Sequence, residues 1–84
     1  MFYKLTLSEF DFLKMHSPES IEMAKIEKID LEVSLNVSDT SEFELRINDA
    51  ILDVGMDDED TVNEIGKQLY RIYDILLYQK KNAL

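Results

Sequence analysis

The chain has no cysteine, which excludes a disulfide framework and a thiolate zinc site and leaves the redox compartment unmarked. One proline and two glycines in 84 residues are too few for a flexible linker or a glycine-rich phosphate loop. Apolar runs are only a few residues long, so a membrane-spanning helix is excluded. The opening MFYKLTLSEF has no basic region followed by an apolar stretch, and the expectation is a cytoplasmic protein without a signal peptide. Positive charge is scarce too: nine Lys and Arg stand against eighteen Asp and Glu, for a net charge of −9. That imbalance opposes direct contact with nucleic acid or an anionic membrane and favours a basic protein as partner. What is present is 45% hydrophobic residues, enough to fold a single acidic domain over residues 1–84, a length with no room for a second core.

Periodicity supplies the elements. Ile29-Asp30-Leu31-Glu32-Val33-Ser34-Leu35-Asn36-Val37 alternates apolar and polar residues throughout, as a strand with one wet face does. Phe43, Leu45 and Ile47 alternate with Glu42, Glu44, Arg46 and Asn48, and Ala50, Leu52, Val54 and Met56 continue in step. Asn48-Asp49 then reads as a two-residue hairpin turn, since both residues tolerate positive φ. In that register Ile47 faces Ala50, Leu45 faces Leu52 and Phe43 faces Val54, so each apolar residue meets another. From residue 57 to about 81 the spacing turns helical, through Val62, Ile65, Leu69, Ile72, Tyr73 and Leu76. Acids at its start and Gln79-Lys80-Lys81 at its end complement the macrodipole. Phe2 to Leu7 reads as a further strand, and Ser17-Pro18-Glu19 starts a short helix near residues 18–26. Residues 8–15 fit either state. The expected fold is α+β: an antiparallel sheet of three or four strands packed on a long C-terminal helix.

Catalysis finds little support. His16 is the only histidine and sits beside Pro18 in a turn, with no oxyanion or phosphate loop to serve. It reads as a solvated loop residue. Glu44 and Asp53 pair across the hairpin but on the solvent face, where carboxylates keep ordinary acidities. Asp53 to Glu64 has the offset of a calcium loop's first and last ligands, yet Gly55 stands at its third position and Asp58 where the loop needs glycine. No metal, no cofactor and no enzymatic activity are expected.

The unusual feature is where the charge lies. Residues 42–64 hold nine acids against Arg46 alone, whereas residues 65–84 hold four bases against Asp74. In the expected sheet, Asp30 and Glu32 lie on one strand, Glu42 and Glu44 on the next and Asp53 on the third. Asp49 sits at the turn, and Asp57, Asp58, Glu59 and Asp60 at the helix start. Same-face neighbours about 6.6 Å apart along a strand and about 4.8 Å between strands make a lattice of negative charge. Such a face costs stability unless a cationic partner offsets it. The second half of the helix is apolar on every side. Tyr70, Ile75, Leu77 and Tyr78 are therefore left for the N-terminal segment, a twin subunit or another protein.

The stretch FELRINDAILDVGMDDEDTVNEI, read as a hairpin running into an acidic helix start, resembles the small acidic inhibitors carried by bacteriophages, particularly anti-CRISPR proteins of the type II class. The likeness covers roughly residues 29–80 as an order of elements. It implies that carboxylates occupy the basic groove where a nuclease reads DNA, with Asp49, Asp53, Asp57, Asp58, Glu59 and Asp60 as phosphate stand-ins. The expected function is thus a non-enzymatic inhibitor that imitates nucleic-acid charge in a basic groove of a CRISPR nuclease or other DNA-processing protein. The alternative is an antitoxin-like, immunity or homodimeric accessory protein acting through the apolar helix.

Overall fold

A computed structural model describes residues 1–57 and 61–83. Strand β1 (Phe2–Thr6) leads directly into helix α1 (Leu7–His16). Thr6 makes that switch abrupt: its hydroxyl accepts from the Glu9 N–H at 3.1 Å, and the Glu9 carboxylate accepts from the Thr6 N–H at 2.9 Å. This reciprocal box satisfies two donors the first turn would otherwise leave open. Residues 8–15, open to either reading in the sequence, are thereby helical. Helix α2 (Pro18–Glu22) starts at the expected proline but ends at Glu22, short of the expected residue 26, because Ala24, Lys25 and Ile26 pair with β3; the hairpin β2 (Ala24–Ile29) and β3 (Glu32–Val37) follows. Helices α3 (Thr40–Val54) and α4 (Glu64–Lys81) complete the fold.

The three strands form one antiparallel sheet in the order β1-β3-β2. Tyr3 pairs with Leu35 and Leu5 with Val33, and these four side chains are buried on the face that the helices cover. Phe10 and Leu13 of α1, Phe43, Ile47 and Ile51 of α3, and Leu69, Ile72 and Leu76 of α4 close the core over them. The α+β class, the antiparallel sheet and the C-terminal helix are as the sequence implied.

Three expectations are corrected. Residues 42–56 form no hairpin; 40–54 are a helix. Phe43, Ile47, Ala50 and Ile51 make its buried stripe, and Asp39 caps it, accepting from the Glu42 N–H at 3.1 Å. Alternation misleads here because Leu45 and Leu52, counted as core, stay outside at 51% and 59% exposure. Second, the alternation of residues 29–37 spans a chain reversal. Asp30 and Leu31 turn the chain between Ile29 and Glu32, with Asp30 at φ 57°, a conformation aspartate tolerates. The turn switches which parity faces inward, so Ile29 and Leu31 are exposed while Val33, Leu35 and Val37 are buried. Third, α4 begins at Glu64, not near residue 57. Asn63 caps it by accepting from the Gly66 N–H at 2.9 Å, and Val62 bridges back to Met56 in the loop.

The two glycines meet where α3 hands over to α4. A Cβ on Gly55 would lie 2.7 Å from the Gly66 Cα, and a Cβ on Gly66 would collide with the Gly55 carbonyl oxygen. Neither position has room for a side chain. This close approach sets the angle at which α4 crosses α3.

Candidate functional site

Most of the predicted acidic lattice is redistributed. Glu32 alone stays on the outer face of the sheet, 3.9 Å from Lys4, and Asp30 sits in the turn. That face also carries Lys25 and Glu27 beside Ser34 and Asn36, so it is mixed rather than negative. Glu42, Glu44, Asp49 and Asp53 are all on α3, not on two strands and the turn between them. Asp57 lies exposed in the following loop, accepting from the Thr61 N–H at 3.0 Å. Asp58, Glu59 and Asp60 lie outside the described residues.

Helical geometry divides the α3 acids between two sides. Glu44 turns toward α4 and pairs with Lys80 at 3.2 Å, its side chain only 17% exposed. Glu42, Arg46, Asp49 and Asp53 follow one another at spacings of four, three and four, which places them along one stripe. This stripe faces α2 across a cleft of about 730 Å³, lined by Met15, His16, Pro18, Glu19, Glu22, Arg46, Asp49, Ala50, Asp53 and Val54.

Among the described residues Arg46 is the one Lys or Arg lining the cleft, and its charge is engaged within the protein. Its Nε donates to the Glu42 carboxylate at 3.1 Å, and its NH1 donates to the Glu19 carbonyl at 2.7 Å, tying α3 to α2. Glu19, Glu22, Asp49 and Asp53 have no ion-pair partner among the described residues. The cleft walls thus present four carboxylates to solvent. Asp49 and Asp53 are separated by about 6 Å of helix rise.

His16 also borders the cleft, as the last residue of α1 rather than in a turn, with its ring 4.5 Å from that of Phe12. Among the described residues it makes no hydrogen bond or ion pair to a carboxylate, so no base and orienting partner are assembled. No group of three or more histidines or acids is disposed to hold a metal among them either. Glu19 and Glu22 were missed by the sequence reading, because their short helix was not placed against anything. The stripe through Glu42, Asp49 and Asp53 carried a legible helical signal, but only once α3 is read as a helix.

The apolar half of α4 is largely covered by its own chain. Ile65, Tyr73 and Ile75 pack against the core, Leu77 is half-buried, and the exposed members are Tyr70 at 39% and Tyr78 at 70%. No described helix is long and apolar enough to cross a membrane. Comparison of the chain with protein-family models, curated proteins and solved structures finds no match in any of the three. The element order on which the likeness to type II anti-CRISPR inhibitors rested differs from the one found, since residues 43–54 are helical.

Proposed function

We propose that this chain is a non-enzymatic acidic inhibitor whose α2–α3 cleft takes the lysine and arginine side chains of a nucleic-acid-binding groove on a partner protein. The observation behind this reading is the cleft's charge balance. Among the described residues, four carboxylates without an ion-pair partner line it, while its one arginine is held by Glu42 and the Glu19 carbonyl. Carboxylates carried on two helices offer a cationic side chain charge-assisted hydrogen bonds from a backbone that is already ordered. The four carboxylates are divided between two helices and do not follow one strand, so the imitation is of charge and not of backbone geometry.

The test is capture from a cell lysate on the immobilised chain at low and high salt, beside an Asp49→Lys, Asp53→Lys chain. Basic nucleic-acid-binding proteins are expected on the wild type at low salt, and are expected to be lost at high salt, because exposed charge pairs are screened. The doubly reversed chain should lose them at either salt concentration. Both positions are exposed, so its stability should change by no more than about 0.5 kcal/mol per site. Equal capture of the same proteins by both chains would remove the cleft from the function.

A further inference from the structure

The two outer strands of the sheet end differently. Met1 and Val37 exchange hydrogen bonds, and Leu7 donates to Leu31, so in β1 the odd-numbered residues bond β3 and the even-numbered ones point outward. At Lys4 and Thr6 the outward N–H groups of β1 are occupied. The Gln79 amide of α4 accepts from the Lys4 N–H and donates to the Lys4 carbonyl, both at 2.7 Å, as a neighbouring strand would, and the Thr6 N–H is held by Glu9.

By the same alternation β3 turns Glu32, Ser34 and Asn36 toward β2, and their register partners are Ile29, Glu27 and Lys25. The N–H and C=O groups of Ala24, Ile26 and Lys28 therefore point away from the sheet. No described residue outside the ladder hydrogen-bonds them. Nor is the strand covered: five of its six residues are exposed, including Ile26 at 42% and Ile29 at 60%, although Ile26 lies on the same face as the buried Leu35. An open edge carrying an exposed isoleucine is a pairing surface.

We propose that two copies of this chain join through this edge, β2 against β2 in antiparallel register about a two-fold axis at Ile26, making one continuous sheet. The charges of the strand select that register. With Ile26 opposite the partner's Ile26, Lys25 stands opposite the partner's Glu27, and Glu27 opposite the partner's Lys25. Both pairs are of the non-hydrogen-bonded kind, in which side chains approach most closely. Sliding by one pleat in one direction sets Glu27 against its own copy, and in the other direction Lys25 against its own copy. Edge lysines ordinarily discourage pairing. Here one register turns Lys25 into an attraction, and the two Ile26 side chains cover each other. The proposal stands apart from the cleft, because α2 and α3 contribute none of these groups.

Sedimentation of the wild-type chain should show a concentration-dependent dimer. Lys25→Glu and Glu27→Lys should each weaken it by about tenfold or more, because each reversal sets like charges opposite at two symmetric positions. Mixed in equal amounts, the two reversed chains should form a mixed dimer, and the Lys25→Glu, Glu27→Lys chain should dimerise again. Amide exchange at Ala24, Ile26 and Lys28 of the wild type should slow as its concentration rises, a readout that needs no substitution and survives any failure of a variant to fold. A wild-type chain that stays monomeric, with those amides equally exposed at every concentration, would leave the edge to a strand of another protein and overturn self-pairing. Single reversals that dimerise as tightly as the wild type, or a mixture that does not associate, would overturn the register.

Discussion

On one side of β3, strand β1 turns Tyr3 and Leu5 into the core, lies against α4 and has its outer edge bonded by Gln79. On the other side, β2 has the longer ladder, six pairs against five, yet Ile26, the register counterpart of Tyr3 across Leu35, is 42% exposed where Tyr3 is 0%. Ladder hydrogen bonds alone do not distinguish the two strands; what differs is the helical layer, which extends over β1 and β3 and reaches β2 only at Ala24, packed against the core, and Lys28, over the Phe10 ring. Stability is concentrated where the layer is, and the strand left outside it is available for association.

The sharpest test of this contrast compares equivalent truncations on the two strands. Leu5→Ala opens a cavity under α1 and should cost about 2–5 kcal/mol. Ile26→Ala, measured at a concentration where the chain is monomeric, should cost less than about 1 kcal/mol, since a half-exposed side chain has less burial to lose. Urea denaturation of both variants reads the difference. Equal losses would mean that β2 is as firmly part of the core as β1.

The next effect concerns how α4 reaches β1 at all. Gly66→Ala puts a methyl group against the Gly55 carbonyl, so α3 and α4 must separate or tilt. A cost of about 1–3 kcal/mol is expected from such overpacking. The shift should reach the far end of α4, where chemical shifts of Lys4 and Gln79 report it. A neutral substitution would show that the helix crossing has slack and is not fixed by the glycine pair.

This division between covered and uncovered strands was only half legible in the sequence. The stripe Leu69, Ile72, Tyr73 and Leu76 has a single periodic reading, and α4 followed from it. Residues 43–54 have two. Phe43 and Ile47 are four apart, a spacing compatible with one face of a strand and one face of a helix alike. Ile51 decides between them. It breaks the alternation of Ala50, Leu52 and Val54, and it extends Phe43 and Ile47 as the next member of a helical stripe, with Asp39 and Glu42 spaced as a cap. The turn at Asp30-Leu31 was hidden for a different reason: polar and apolar residues continue to alternate through it, so period alone cannot register the reversal. The acidic cleft was lost with α3, since carboxylates assigned to a strand face could not be seen to align with Glu19 and Glu22.

Gln79→Ala should convert the closed edge into one like β2. Two solvent-accessible hydrogen bonds are removed, for about 1–2 kcal/mol in total. The specific sign is amide exchange at Lys4, which should rise toward that of Ile26 in the dilute wild type while Tyr3 and Leu5 keep their protection. Unchanged exchange at Lys4 would mean that burial, not the glutamine, seals this edge.

The smallest expected effect lies within β1 itself. The Tyr3 ring stacks on Phe43 with centroids 5.3 Å apart, and its hydroxyl is buried without a hydrogen-bond partner among the described residues. Burial, with the nearby Glu44 carboxylate adding repulsion, pushes its pKa from 10.0 up to about 12. The folded chain therefore holds this proton more tightly than the unfolded chain does. The associated stability is present in full below pH 10.0 and is lost progressively as pH rises toward about 12. Tyr3→Phe keeps the stacked ring and removes the unpartnered hydroxyl, so at neutral pH it should stabilise the chain by about 1 kcal/mol or less. It should also remove this residue's share of the alkaline loss, the other tyrosines being common to both chains. Denaturation of the two chains at pH 8 and above then gives curves that diverge as pH rises, with the wild type falling faster. Parallel curves would mean that the hydroxyl reaches solvent or a partner, and that the covered strand is wetter than its packing implies.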